Sequence, residues 1–371
     1  MVIGLGLIGT GFMGKAHALA YRNARAVFGD LPETRLARLC DMPDERAQAM
    51  ADQLGFASAT GDWRALVADP AVDIVSITTP NGLHREMALA AIAAGKHVHC
   101  EKPLALRLED AREMEAAARE AGVRTMVGYN YIHNPAIAHA RKLVAEGAIG
   151  RPVHFRGWVD EDYQADPDLP WSWRATRAEA GLGTLGDLGC HLVSMSQILM
   201  GPIESLIADT QIIHADRPLP DGSGRAAVEN EDAASAIIRY GSGAQGTLCS
   251  SRSAWGRKNR LDWELHGTKG MIAFGQERLN ELQLYTNEGP AGRQGFRTIL
   301  TGPEHPPYGA FCPAPGHQLG FGDLKTIEAA AFLRAIASGA PVFPDFTDAL
   351  AIEAVIHAID VSAREGRRVT L

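Results

Sequence analysis

The sequence predicts a doubly wound α/β domain of Rossmann type over residues 1–130, followed by an α+β domain over residues 131–371 with an open, mainly antiparallel sheet. Three observations predict it. Up to about residue 129, short apolar runs alternate with helical patterns, as in a parallel sheet covered on both faces. A Gly-x-Gly-x-x-Gly turn closes the first of those runs. Beyond Asn130, strand-like runs follow one another across Gly, Asp and Asn turns, which implies antiparallel pairing.

In the first part, Val2–Ile8 reads as a strand and Phe12–Arg25 as a helix, then Arg35–Asp41 as a strand and Pro43–Leu54 as an Ala-rich helix. Asp62–Ala68 is a short helix, Val72–Thr78 a β-branched strand, and His84–Ala94 a helix closed by Gly95. His97–Cys100 and Thr125–Tyr129 are strands around a helix at Leu108–Ala121. In the second part, one helix (Pro135–Glu146) precedes strands at Val153–Val159, Ser205–Ile213, Ala233–Tyr240, Ala244–Ser250, Leu261–His266, Gly270–Phe274 and Leu282–Thr286. A helix over Gly181–Met200 interrupts them, and Lys325–Ala337 and Asp348–Ala363 close the chain. Gly289–Gly322, rich in Gly and Pro, reads as a long ordered loop.

At 371 residues the chain exceeds one ordinary core. Net charge is −8 and no Lys/Arg run could track a phosphate backbone, which excludes nucleic acid as a partner. Five scattered cysteines with no Cys-x-x-Cys pair argue against disulfides and zinc ribbons and for the cytoplasm. No His/Asp/Glu spacing resembles a metal site. The apolar run Val2–Ile8 is far too short to span a membrane.

Two overlapping glycine registers compete for the phosphate-binding turn. Gly4-Leu5-Gly6-Leu7-Ile8-Gly9 has too little chain before it for a strand. Gly9-Thr10-Gly11-Phe12-Met13-Gly14 follows an apolar run and opens an amphipathic helix, as dinucleotide binding requires. There Gly9 turns the chain, Gly11 lets backbone approach a pyrophosphate and Gly14 packs helix on strand, with the helix N-terminus favouring the phosphate charge. Asp41 ends the second strand, where a carboxylate binds adenosine ribose hydroxyls and repels a 2′-phosphate. It lies farther from Gly14 than the usual offset of about 20 residues, so the crossover carries extra residues around Arg25–Thr34. The expected cofactor is NAD.

These features, with three further motifs, resemble the Gfo/Idh/MocA family, which includes glucose-fructose oxidoreductase and inositol 2-dehydrogenases. Gly9–Ala18, with His17 inside the helix, is similar to its opening; Thr79-Pro80-Asn81-Gly82-Leu83-His84 to its Pro-x-x-x-His turn; Glu101-Lys102-Pro103 to its Glu-Lys-Pro signature; and Asp187 to His191 to its Asp-x-x-x-His helix. The resemblance implies that Thr79, Pro80, Asn81 and His84 line the cofactor and that Glu101 lies near the nicotinamide ribose. It also implies a homodimer or homotetramer. The loop Asp160–Trp173 and the stretch 295–306 are similar to family members that oxidise position 3 of an anhydrosugar.

The chemistry stands beside the resemblance. Oxidising a secondary alcohol needs a hydride acceptor, a base and a group to hold the alkoxide. Lys102 follows a strand at the sheet's carboxyl edge, where open α/β folds bind ligands, and Pro103 after it is a candidate for a cis bond. Asp187 and His191, four residues apart, share one face of a helix, with Gly189 and the glycines before them leaving room for a ligand. His191 is the candidate base, Lys102 the group on the same oxygen, and Asp187 the partner of a neighbouring hydroxyl or of the Lys102 ammonium; which of His191 and Lys102 takes the proton is open at this stage. Trp173 and Arg174 suit a sugar's apolar face and hydroxyls. Tyr129 and Asn130 end a strand at the same edge; His133 stands where many relatives carry Arg. The expected substrate is a sugar, anhydrosugar or inositol, with glycoside cleavage by transient oxidation at position 3 as the alternative and a non-catalytic NAD-binding protein as a third reading.

Overall fold

The computed structural model describes residues 1–371 and falls into two compact units, residues 1–130 with 320–353, and residues 131–319 with 354–371. The first carries strands β1 (Val2–Ile8), β2 (Glu33–Cys40), β3 (Ser58–Thr60), β4 (Ile74–Ile77), β5 (His97–Cys100) and β6 (Thr125–Val127). They form a six-stranded sheet in the order β3-β2-β1-β4-β5-β6, with every neighbouring pair parallel. Leu5, Leu7, Ile74, Val75 and Ile77 are wholly buried, as expected of strands covered on both faces. The crossovers are helices α1 (Phe12–Phe28), α2 (Asp44–Leu54), α3 (Trp63–Val67), α4 (His84–Ala93) and α5 (Leu108–Ala121). The extra residues before Asp41 are shared among α1, which runs past the predicted end to Phe28, the connection that follows it, and β2, which starts at Glu33.

The second unit opens with α6 (Pro135–Ala145), whose N-cap Asn134 accepts from the Ala136 N–H. Strand β7 (Pro152–Asp160) follows, then α7 (Arg177–Ala180), a π-helical turn at Leu185–Gly189, and α8 (Cys190–Met200). Next come β8 (Ile203–Gln211), β9 (Asp216–Pro218), β10 (Arg225–Ala227), β11 (Ala233–Tyr240), β12 (Gln245–Ser251), β13 (Arg260–Gly267), β14 (Gly270–Gly275), β15 (Glu281–Thr286) and β16 (Arg297–Leu300), with α9 (Tyr308–Phe311) after them. Helices α10 (Phe321–Ser338) and α11 (Phe346–Glu365) and strand β17 (Val369–Thr370) end the chain.

The nine-stranded sheet runs β16-β15-β14-β13-β7-β12-β11-β8-β17. Its one parallel pair is β12 with β7; the remaining pairs are antiparallel. Alternation is plain in β11, where Ala234, Ala236, Ile238 and Tyr240 are buried and Ser235, Ile237 and Arg239 are exposed.

Three differences from expectation have physical reasons. The boundary at residue 131 returns part of the chain: α10 packs Ala329, Ala330, Phe332 and Leu333 into the core beneath β1 and α1, and a helical pattern does not name its partner. Gly289–Gly322 holds β16, which extends the sheet edge beside β15, and α9; both are too short to leave a clear period. Likewise β9 and β10 form a separate hairpin within three-residue strands. No helix is long and apolar enough to cross a membrane.

Candidate active site

The first glycine register is consumed by the sheet, since Gly4 and Gly6 lie inside β1. Gly9 turns the chain at φ +96°, a conformation that L side chains rarely adopt, and its N–H bonds the Cys40 carbonyl at 2.9 Å. A Cβ on Gly14 would stand 2.1 Å from the Gly9 carbonyl oxygen, so helix meets strand only with glycine there; a Cβ on Gly11 would meet nothing within 4 Å. That open space lies at the N-cap of α1, whose first turn has no side-chain cap and no acidic residue. Its free N–H groups and dipole suit a phosphate. Phe12 is 73% exposed and stacks on Phe321 of α10, centroids 5.3 Å apart, while Met13 is half-buried. The residues fit a dinucleotide.

Asp41 Oδ2 accepts from the Thr10 N–H at 2.9 Å and from the Thr10 hydroxyl, which ties the end of β2 to the glycine turn. Arg46 also reaches this point, 3.3 Å from Asp41 and donating to Thr10 Oγ1 at 3.1 Å. Arg46 belongs to the first turn of α2.

Thr78 and Thr79 follow β4 beside the glycine turn, and the Thr78 hydroxyl donates toward the Ile8 and Gly9 carbonyls at 3.0 Å each. Pro80 is exposed and Asn81 half-buried, opening a single 3₁₀ turn. His84 follows that turn at the start of α4. It is fully buried, with ring nitrogens 3.0 Å from the Pro103 and Thr79 carbonyls. Burial lowers its pKa against the opposing pull of these backbone carbonyls. Its two ring nitrogens thus face backbone carbonyls of two separate segments.

The Glu101 carboxylate is the anion of a buried cluster. Oε1 accepts from His17 Nε2 at 2.8 Å and from the Lys325 ammonium at 2.6 Å. Oε2 accepts from the Lys102 N–H at 3.2 Å. Lys325 also donates to Glu328 at 2.7 Å, which meets His99 at 3.1 Å, and His99 meets the Tyr21 hydroxyl at 3.0 Å. Ser76 lies 2.8 Å from His17 Nδ1. Burial opposes the Glu101 charge, but Lys325 and His17 outweigh it and hold the carboxyl well below its usual range. Burial likewise opposes the Lys325 charge, and Glu101 and Glu328 outweigh it, raising that pKa. Donor atoms of His17, His99 and Glu328 lie within 4.8 Å of one another, and the Lys325 ammonium lies 3.2 Å from His17 Nε2. Lys102 itself is half-buried, and the Lys102–Pro103 bond is cis.

In the second unit, Asp187 belongs to the π-helical turn and His191 to the first turn of α8. The Cys190 N–H reaches back five residues to the Leu185 carbonyl, so the wider π turn, not a regular α-helical face, relates the two side chains. Tyr163 donates to Asp187 Oδ2 at 2.5 Å, and burial, then Asp187, pushes its phenol pKa well above 10. Tyr131 packs on the His191 ring with centroids 4.6 Å apart. The glycines before Asp187 serve the backbone rather than a ligand: a Cβ on Gly183 would stand 2.1 Å from the Glu231 carbonyl, whereas one on Gly189 would make only ordinary contacts from 3.4 Å. Arg174 lies over the Trp173 ring at 4.5 Å, and Trp171 donates to the Ala227 carbonyl of β10 at 3.1 Å. Tyr129 and Asn130 are buried at the end of the first unit's leading segment.

Sequence reading missed Tyr163, Lys325, Glu328 and Glu353. Tyr163 carried a signal, since it lies inside the loop already singled out, but the others read as ordinary helix positions.

Residues 3–129 match the family model described as the oxidoreductase family, NAD-binding Rossmann fold, and residues 137–273 match the GFO/IDH/MocA C-terminal domain. The chain is 40% identical over 374 aligned positions, 97% of its length and 96% of the relative's, to a levoglucosan dehydrogenase of Pseudarthrobacter phenanthrenivorans. A solved levoglucosan dehydrogenase in complex with NADH and levoglucosan superposes with a TM-score of 0.97 at 40% identity, covering 100% of this chain and 99% of that one. An NAD-binding oxidoreductase of Klebsiella pneumoniae superposes at 0.96 with 43% identity, again covering 100% and 99%. The glycine turn, the Glu-Lys-Pro turn and the Asp/His helix therefore sit in a chain that belongs to the GFO/IDH/MocA family of NAD-dependent oxidoreductases.

Proposed function

We propose that this enzyme oxidises the secondary hydroxyl at position 3 of an anhydrosugar of the levoglucosan type to a ketone. The observation that carries the reading is the end-to-end likeness to a dehydrogenase solved with NADH and levoglucosan. NAD, when bound, accepts the hydride from the carbinol carbon. The glycine turn Gly9–Gly14 and the uncapped start of α1 hold the pyrophosphate, and Asp41 takes the adenosine ribose. Thr79, Pro80 and Asn81 flank the turn on the neighbouring strand end.

His191 removes the hydroxyl proton, a role suited to an imidazole whose ordinary pKa lies near neutrality. Lys102 holds the oxygen as it gains charge. Asp187, fixed by Tyr163, accepts from a neighbouring hydroxyl of the sugar. Trp173 and Arg174 face the sugar from the loop before the π turn. Ketone and NADH leave, and the hydroxyl proton passes through His191 to solvent.

Operation in the cytoplasm accords with five free cysteines. Assembly into a homodimer or homotetramer accords with the open sheet face, where the register partners Ile207 and Ile237 are 37% and 54% exposed.

The deciding experiment incubates the protein with NAD and a panel of anhydrosugars, pyranoses and inositols while following NADH absorbance. Stoichiometric NADH with levoglucosan, abolished by Lys102→Ala with NADH binding retained, is the expected result. Release of sugar from glycosides without net NADH would overturn it.

A further inference from the structure

We propose that Lys325 and Glu353, on the two helices that return to the first unit, are positioning residues for Lys102. The proposal rests on the catalytic reading of Lys102 above and adds two residues that no motif contains.

Lys102 sits on the turn Glu101–Leu104, which leaves β5 at the carboxyl edge of the sheet. Every residue of that turn is gripped by a buried ionisable group. Glu101 Oε1 is held by Lys325 at 2.6 Å and His17 at 2.8 Å. The Lys102 N–H is held by Glu101 Oε2 at 3.2 Å, the Pro103 carbonyl faces His84 at 3.0 Å, and the Leu104 N–H is held by Glu353 Oε1 at 2.7 Å. Lys325 is 1% exposed and Glu353 fully buried.

Stability alone does not account for this arrangement. A buried ion pair is a weak source of stability, and apolar groups of similar volume serve as well or better. What hydrogen-bonding groups supply and apolar ones do not is direction: a bond to a peptide group fixes its orientation, and charge on the partner strengthens it. Catalysis by an oriented group is sensitive to such placement, with misplacement by about 1 Å costing roughly a hundredfold in rate. Glu101 is the linking piece. Its one carboxylate is pinned through Oε1 and itself holds the Lys102 peptide through Oε2, so the Lys325 ammonium sets the backbone from which the Lys102 side chain extends. Glu353 fixes the far end of the same turn.

The test uses the full chain with NAD and levoglucosan, and kcat is expressed per NADH-binding site so that unfolded protein is not counted. Lys325→Met and Glu353→Leu are expected to lower kcat by roughly ten- to a hundredfold, with the NADH Kd of the remaining sites changed by less than about threefold. Glu353→Gln keeps an oxygen for the Leu104 N–H and is expected to recover most of kcat, a rescue that a purely structural role for the charge does not predict. Should Lys325→Met fail to fold, the Gln and Leu variants of Glu353 decide the matter by themselves. Unchanged kcat per site in Glu353→Leu, or equal loss in Glu353→Gln and Glu353→Leu, overturns the proposal. Lys102→Met is measured alongside: full kcat in that variant refutes the catalytic reading of Lys102 and this proposal with it, whereas loss there with full kcat in Glu353→Leu refutes the positioning role alone.

Discussion

Acid exposes the cost of burying His17. Burial first, then the Lys325 and His99 charges, push its pKa from 6.5 down to about 4, against the opposing pull of Glu101. The imidazole is therefore neutral in the fold, while the unfolded chain takes up a proton as pH drops below about 6.5. A folded pKa below the unfolded one makes the first unit lose stability as pH falls from 6.5 toward 4, with no further loss from this group below that. Each unit of separation is worth about 1.4 kcal/mol, so the loss is about 2 kcal/mol at pH 5 and about 3 kcal/mol at pH 4. Glu101, held well below its usual range, contributes stability that is present above its ordinary carboxyl pKa and fades only in stronger acid. Between pH 6.5 and 5 the His17 contribution is thus separable from it. Urea unfolding of the parent and of His17→Gln at pH 7 and pH 5 measures it: the parent should lose about 2 kcal/mol more than the variant over that interval. Equal losses, or a His17 ring resonance titrating between pH 6 and 7, would refute the reasoning.

Two further outcomes follow from the geometry. Asp41→Ala removes the acceptor of the Thr10 N–H and releases Arg46; charge-assisted bonds of about 1.5–3 kcal/mol translate into a tenfold or greater weakening of NADH binding with a smaller loss for NADPH. Fluorescence titration reads both, and an unaltered NADH-to-NADPH preference removes Asp41 from the site. Tyr163→Phe deletes the donor to Asp187 and should lower kcat/KM by roughly ten- to a hundredfold; steady-state rates with levoglucosan check it, and parent-like values would leave Tyr163 no part in orienting the carboxylate.

How much of this was legible depends on how local each signal is. Five of the six parallel strands and the choice of Gly9 over Gly4 as the turning glycine could be read because period and steric demand are written within a dozen residues, whereas β3, three residues long, leaves no period to read. The π turn at Leu185–Gly189 could not, since the spacing of Asp187 and His191 is equally compatible with a regular helix. His84 and Glu101 were located by motif, but their partners lie elsewhere: Pro103, nineteen residues on from His84, and Lys325, 224 residues on from Glu101. Sequence periodicity says that Lys325 and Glu353 belong to helices. It is silent on which peptide groups those helices will meet.

The same device recurs in both units. A turn that carries a reactive side chain must satisfy its own peptide groups without using the reactive atom, because an unmet buried N–H or C=O costs a few kcal/mol and invites rearrangement. In the first unit Glu101, His84 and Glu353 take up that demand around Lys102. In the second, Glu231 accepts from the Leu185 N–H at 3.1 Å and its carbonyl from the Thr184 N–H at 2.8 Å, while Tyr163 fixes the carboxylate of Asp187 itself. Each supporting group is titratable or strongly polar, and Glu353 and Glu231 are buried and drawn from segments remote in sequence. Substituting any of them with an apolar residue of equal volume preserves packing but frees a peptide group next to a catalytic candidate, so loss of turnover in such variants should run ahead of loss of fold.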